Sequence, residues 1–162
     1  MAKINTGGGA ANKSGNILEK TVSSVFVNNG FQELKYGEWI KAPRNYSEEL
    51  ILRNAPYQNI YKHNGKSEFL LKSKHYDLEV RIECKWQQSS GSVDEKFPYL
   101  YLNCIMQMPE NSIIIIADGN GARSGAVAWL KNACDSKFLN TDKDVRVLSL
   151  AEFIVWSNKI FR

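Results

Sequence analysis

The sequence predicts an α/β domain: a mixed β-sheet flanked by helices. Three observations carry that expectation. Residues 78–87 alternate apolar Leu78, Val80, Ile82, Cys84 and Trp86 with Glu79, Arg81, Glu83, Lys85 and Gln87, the period of a half-buried strand. Asn64-Gly65 stands between two strand-like runs, a hairpin signal that makes the early strands antiparallel neighbours. The almost wholly apolar run 112–117 fits a central strand covered on both faces, and helical patterns lie on either side of it.

The elements follow in order. Residues 1–13 contain Gly7-Gly8-Gly9 and are expected as a flexible arm, with residues 14–162 as a single domain. Ser14 is placed to cap a helix in which Ile17, Leu18, Val22, Val25 and Phe26 keep helical spacing, and Asn28-Asn29-Gly30 ends it. Residues 31–56 are less regular, with a short helix expected over 47–52 and a stop at Pro56. Strands are expected over 57–63, 67–72 and 78–87, with residues 74–77 as the second turn. Ser89-Ser90-Gly91-Ser92 breaks the third strand. A helix over 93–106 follows, irregular near Pro98. Strand 112–117, loop 118–121, helix 124–134, strand 145–148 and helix 150–160, capped by Ser149, complete the chain. The order is α-β-β-β-α-β-α-β-α.

Composition sets bounds. A chain of 162 residues, 43% hydrophobic and 23% charged, can bury a core and lies outside the disordered class. Its net charge of +4 suits a polyanionic partner without requiring one. Cys84, Cys104 and Cys134 are odd in number and lack metal-ligand spacing, so buried free thiols in a reducing compartment are expected. The amino terminus is polar and Gly-rich rather than a signal peptide, and the apolar run 113–117 is far too short to span a bilayer. A soluble, cytoplasmic protein with no membrane partner is expected.

Chemistry concentrates on Glu83, Lys85 and Gln87, which share one strand face. A carboxylate two residues before a lysine suits metal-assisted phosphodiester hydrolysis. The carboxylate holds a divalent cation, and the ammonium steadies water or the charge that develops on phosphorus. A solvated face with Glu83 paired to Lys85 or Arg81 is the bland alternative.

On these residues, and on the element order over residues 14–160, the chain resembles the PD-(D/E)XK nuclease superfamily, which has the restriction-endonuclease-like fold. Glu83 and Lys85 match its carboxylate-x-lysine pair, Gln87 its trailing glutamine and Glu19 its first-helix glutamate. The proline-acid position falls on Ser67-Glu68, where serine replaces proline and glutamate replaces aspartate. Asp77 is the rival for that acid. The resemblance implies magnesium, with manganese able to substitute, held by Glu68, Glu83, the Cys84 carbonyl and Glu19. It implies catalytic roles for Glu68, Glu83, Lys85, Glu19 and Gln87. Lys96 and Arg123 are candidates for phosphate contacts, against a helix-surface ion pair and an ordinary turn respectively. Trp39, Arg44, Tyr46 and Arg53 either touch DNA or cap the sheet. The implied activity is that of a DNA endonuclease, with a homodimer expected. The alternatives are a nuclease acting on RNA or on DNA ends, and a non-catalytic nucleic-acid-binding module.

Overall fold

Six strands form one sheet whose spatial order is the chain order, β1 to β6. The computed structural model describes residues 7–86, 95–119 and 124–162. The elements are α1 (Gly7–Asn28), β1 (Gln32–Lys35), α2 (Tyr36–Trp39), a 3-10 turn (Pro43–Asn45), β2 (Glu49–Gln58), β3 (Asn64–Ser73), β4 (Leu78–Trp86), α3 (Lys96–Met106), β5 (Ser112–Asp118), α4 (Ser124–Asp135), β6 (Asp144–Leu148) and α5 (Leu150–Ile160). β2, β3 and β4 are antiparallel, while β1 joins β2, and β5 joins β4 and β6, in parallel. The sheet is therefore mixed and flanked by helices, as expected of a restriction-endonuclease-like fold. Among the described residues no helix is long and apolar enough to cross a membrane.

Side-chain alternation builds two cores. On one face Leu18, Val22 and Phe26 of α1 meet Ile51, Phe69 and Ile82 of the sheet and Phe153 of α5. On the other face Phe97, Tyr101 and Cys104 of α3 and Leu130 of α4 cover Ile113, Ile115, Val145 and Val147. Successive isoleucines of β5 thus serve opposite cores, as a strand buried on both faces requires. All three cysteines are free and buried. Ser149 and Glu152 form a reciprocal capping box that opens α5.

Several local expectations are corrected. Residues 47–52 form no helix: β2 takes Glu49–Gln58. Leu50, Ile51 and Leu52 are all buried because both faces of β2 are covered, so its apolar run lacks alternation. Trp39 and Tyr46, by contrast, do pack against Leu50 and Leu52, the expected cap over the sheet. The strand expected over 57–63 ends at Gln58, and the turn falls at residues 59–63 instead of Asn64-Gly65. Asn59 makes this turn: its Oδ1 accepts the N–H groups of Tyr61 at 2.9 Å and His63 at 3.0 Å, and Lys62 takes φ 64°. Gly65 pairs with Tyr57 inside the hairpin, where a Cβ would come within 3.0 Å of the Tyr57 ring.

The first helix begins at Gly7, so Ser14 lies within it rather than at its cap. Ala10 and Ala11 favour helix there and no proline interrupts it. Residues 1–6 of the expected arm lie outside the described residues, as does the break at 89–92. Helix α3 starts at Lys96, and Pro98 sits in its first turn, where an N–H would have no intrahelical partner. The edge strand β1 and helix α2 are additions to the expected order. Finally, β4 is not half-buried: Arg81 and Glu83 on its charged face are 1% and 3% exposed.

Candidate active site

The hairpin of β3 and β4 brings the central groups together. Phe69 pairs with Ile82 at the end of the β3–β4 ladder, and Glu68 and Glu83 are the residues next to that pair on the two strands. Glu68 Oε2 accepts the backbone N–H of Cys84 at 3.0 Å. Lys85 Nζ donates to Glu83 Oε2 at 2.6 Å and reaches Glu68 Oε1 at 3.5 Å. The ammonium thus bridges two carboxylates from adjacent strands. Glu83 Oε1 is buried and has no hydrogen-bond partner among the described residues.

The electrostatics follow from burial. Desolvation raises the Glu83 carboxyl to about 7, with Glu68 adding to the rise and Lys85 opposing it. Desolvation pulls Lys85 down, but Glu83 and Glu68 outweigh it and hold the ammonium above the ordinary lysine range. The neighbouring Cys84 thiol is pushed well up by burial and then by the Glu68 charge. It is poorly suited to act as a nucleophile.

Glu19 approaches from α1. Its Oε2 lies 3.3 Å from Arg53 Nη2, and Arg53 also holds Glu33 at 2.8 Å and stands over the Phe69 ring. Burial raises the Glu19 carboxyl, Glu68 raises it further, and Arg53 and Lys85 oppose the shift. Glu19 therefore feels the Glu68 charge but has its own cation. Asp77 lies elsewhere, in the turn at the other end of the hairpin with φ 50°. Five strand steps separate Leu78 from Glu83, roughly 17 Å at the usual rise.

A divalent cation fits this donor set. Among the described residues no three or more His, Cys, Asp or Glu side chains are grouped for a metal. Magnesium, however, is commonly held by one or two carboxylates, with water and substrate phosphate completing its shell. Glu68 and Glu83 supply those hard oxygens, and Glu83 Oε1, with no partner among the described residues, is a buried acceptor that a cation would satisfy. The Cys84 carbonyl is a further oxygen of the same stretch.

A cleft of about 310 Å³ opens beside the pair, bordered by Tyr57, Lys66, Glu83, Lys85, Lys96 and Tyr99. Lys96 is thus brought to the site. Gln87 and Arg123 lie outside the described residues. Tyr57, Lys66 and Tyr99 carried no sequence signal of a site, because their place depends on the observed hairpin register. Tyr57 is pushed up to about 12 by burial, then by Glu83 and Tyr99.

Arg81 lies beneath, two residues before Glu83 on β4. Its Nη2 meets Glu110 Oε1 at 2.9 Å, and its Nη1 donates to Ser67 Oγ and the Ala55 carbonyl at 2.9 Å each. This buried fork ties β2, β3 and β4 together through Ser67, the residue before Glu68, and Arg81, two residues before Glu83. The period-two spacing of Arg81, Glu83 and Lys85 was the available signal; the partner Glu110 was not visible in it.

A family model described as a PD-(D/E)XK nuclease superfamily domain matches residues 10–161. No curated protein and no solved structure shows a significant match.

Proposed function

Because the chain belongs to the PD-(D/E)XK nuclease superfamily, we propose that it is a magnesium-dependent DNA endonuclease that hydrolyses phosphodiester bonds by direct attack of water. The observation that carries the reading is the convergence of Glu68, Glu83 and Lys85, with one Glu83 oxygen left without a partner among the described residues. Glu68, Glu83 and the Cys84 carbonyl would hold the cation, and Glu19 would hold one of its waters. When bound, the cation offsets charge on the scissile phosphate and acidifies water.

The chain's own groups do the rest. Glu68 is pinned by the Cys84 N–H, so its carboxylate keeps one orientation. Lys85 is held above the ordinary lysine range by its two carboxylates and would donate hydrogen bonds to the attacking water or to the reacting phosphate. Gln87 would assist at the nucleophile, and Lys96 and Arg123 would meet phosphates of the bound strand. Manganese would substitute for magnesium. The reading places residues 14–162 as one nuclease domain in the cytoplasm, acting as a homodimer.

The test is a cleavage panel of plasmid, linear, branched and single-stranded DNA, with magnesium or with EDTA, on wild type and Glu83→Ala. Cleavage by wild type that is lost in EDTA and in Glu83→Ala is expected. No cleavage of any of these DNAs would sink the reading.

A further inference from the structure

We infer that the cleft beside Glu83 and Lys85 takes an unpaired DNA strand, with Tyr61 and Tyr99 as the platform for its bases. This deepens the nuclease reading and rests on it. Tyr61 projects from the β2–β3 turn with 64% of its surface exposed. Its ring stacks on Tyr99 at a centroid distance of 5.4 Å and an angle of 19°. Tyr99 in turn borders the cleft that contains Glu83 and Lys85. The pair therefore continues the cleft outward as an aromatic ledge. A tyrosine that exposed contributes little to the core, whereas an open ring face suits a nucleobase.

The ledge is built rather than incidental. Asn103 of α3 is fully buried. Its Oδ1 accepts the Ile60 N–H at 2.9 Å, and its Nδ2 donates to the Tyr99 carbonyl at 2.9 Å. One side chain thus locks the turn that carries Tyr61 to the helix that carries Tyr99. Asn59 Oδ1 fixes the Tyr61 N–H from the other side at 2.9 Å. Holding both rings in advance lowers the ordering cost of binding.

Charge completes the surface. Lys66 and Lys96 are exposed at the cleft border, placed for backbone phosphates. A cleft that combines lysines with stacking rings is the general design of single-strand sites. An intact duplex keeps its base faces stacked inside and offers such rings nothing to stack on. The cleft, at about 310 Å³, accepts a nucleotide rather than a helix.

The test measures fluorescence anisotropy of a labelled single-stranded oligonucleotide and of its duplex in EDTA, where cleavage is blocked. Wild type, Tyr61→Ala and Tyr61→Phe are compared, and the same DNAs are incubated with magnesium. Wild type should bind the single strand more tightly than the duplex. Tyr61→Ala should weaken single-strand binding roughly tenfold, and Tyr61→Phe should retain it. Tighter duplex binding, or single-strand binding indifferent to Tyr61→Ala, overturns the inference even where magnesium supports cleavage. Tyr61-dependent single-strand binding with no cleavage in magnesium upholds the ledge and removes only the nuclease reading.

Discussion

Glu68 of β3 accepts the backbone N–H of Cys84 on β4, tying the second-strand acid to the peptide between Glu83 and Lys85. This separates the structural part of Glu68 from its charge. Glu68→Gln keeps an acceptor for that N–H, so its thermal midpoint should stay close to wild type. Its cleavage should still fall on the order of 100-fold, because a cation ligand and a counter-charge are lost. Circular-dichroism melts beside cleavage rates check both halves. A Gln variant that cleaves normally would exclude Glu68 from metal binding.

The extra carbon of Glu68, compared with an aspartate, has a visible use: it spans to the next strand's backbone. The sequence alone showed only a departure from the family's proline-aspartate pattern. The choice between Glu68 and Asp77 was legible only as a question of distance along a hairpin, and Asp77 lies in the turn just before β4, at the end of that strand away from Glu83. Helices α1, α3, α4 and α5 and strands β4, β5 and β6 were legible because their apolar periods are clear, while the four-residue α2 is too short to show one. β2 was not, since burial on both faces makes Leu50-Ile51-Leu52 look helical. β1 was not, since a four-residue edge strand carries no apolar stripe. The hairpin turn was misplaced because Asn64-Gly65 has the ideal local chemistry, while side-chain bonds from Asn59 fix the turn earlier.

Metal-free stability should fall as pH rises through neutrality. The folded protein holds the Glu83 proton up to about 7, against 4.5 for an ordinary glutamate. That contribution is complete below the ordinary value and is lost as pH rises through the folded one. Lys85 does not counter this, since its own raised pKa adds stability that disappears only above the lysine range. Thermal melts in EDTA from about pH 5 to about pH 8 should show a steeper decline in wild type than in Glu83→Gln. Parallel declines would contradict the assignment.

The buried fork of Arg81 should matter for stability. The Arg81 and Glu110 side chains are 2% and 4% exposed. Glu110→Ala strands the guanidinium and should cost about 3–5 kcal/mol, measured by urea denaturation. The double variant Arg81→Met with Glu110→Leu should recover part of the loss, because no lone charge remains. The Ala55 carbonyl and the Ser67 hydroxyl would still have lost the guanidinium donor. A single Glu110→Ala variant as stable as wild type would show that the pair contributes nothing.

Lys85 offers the most direct test of the central claim, because it bridges the two carboxylates without being a metal ligand. The measurement is single-turnover DNA cleavage in magnesium by Lys85→Ala beside wild type, with the magnesium-induced rise in thermal midpoint recorded for each. The variant should lose cleavage roughly a hundredfold or more while magnesium still raises its midpoint. Equal cleavage rates in the two proteins would contradict the proposed site.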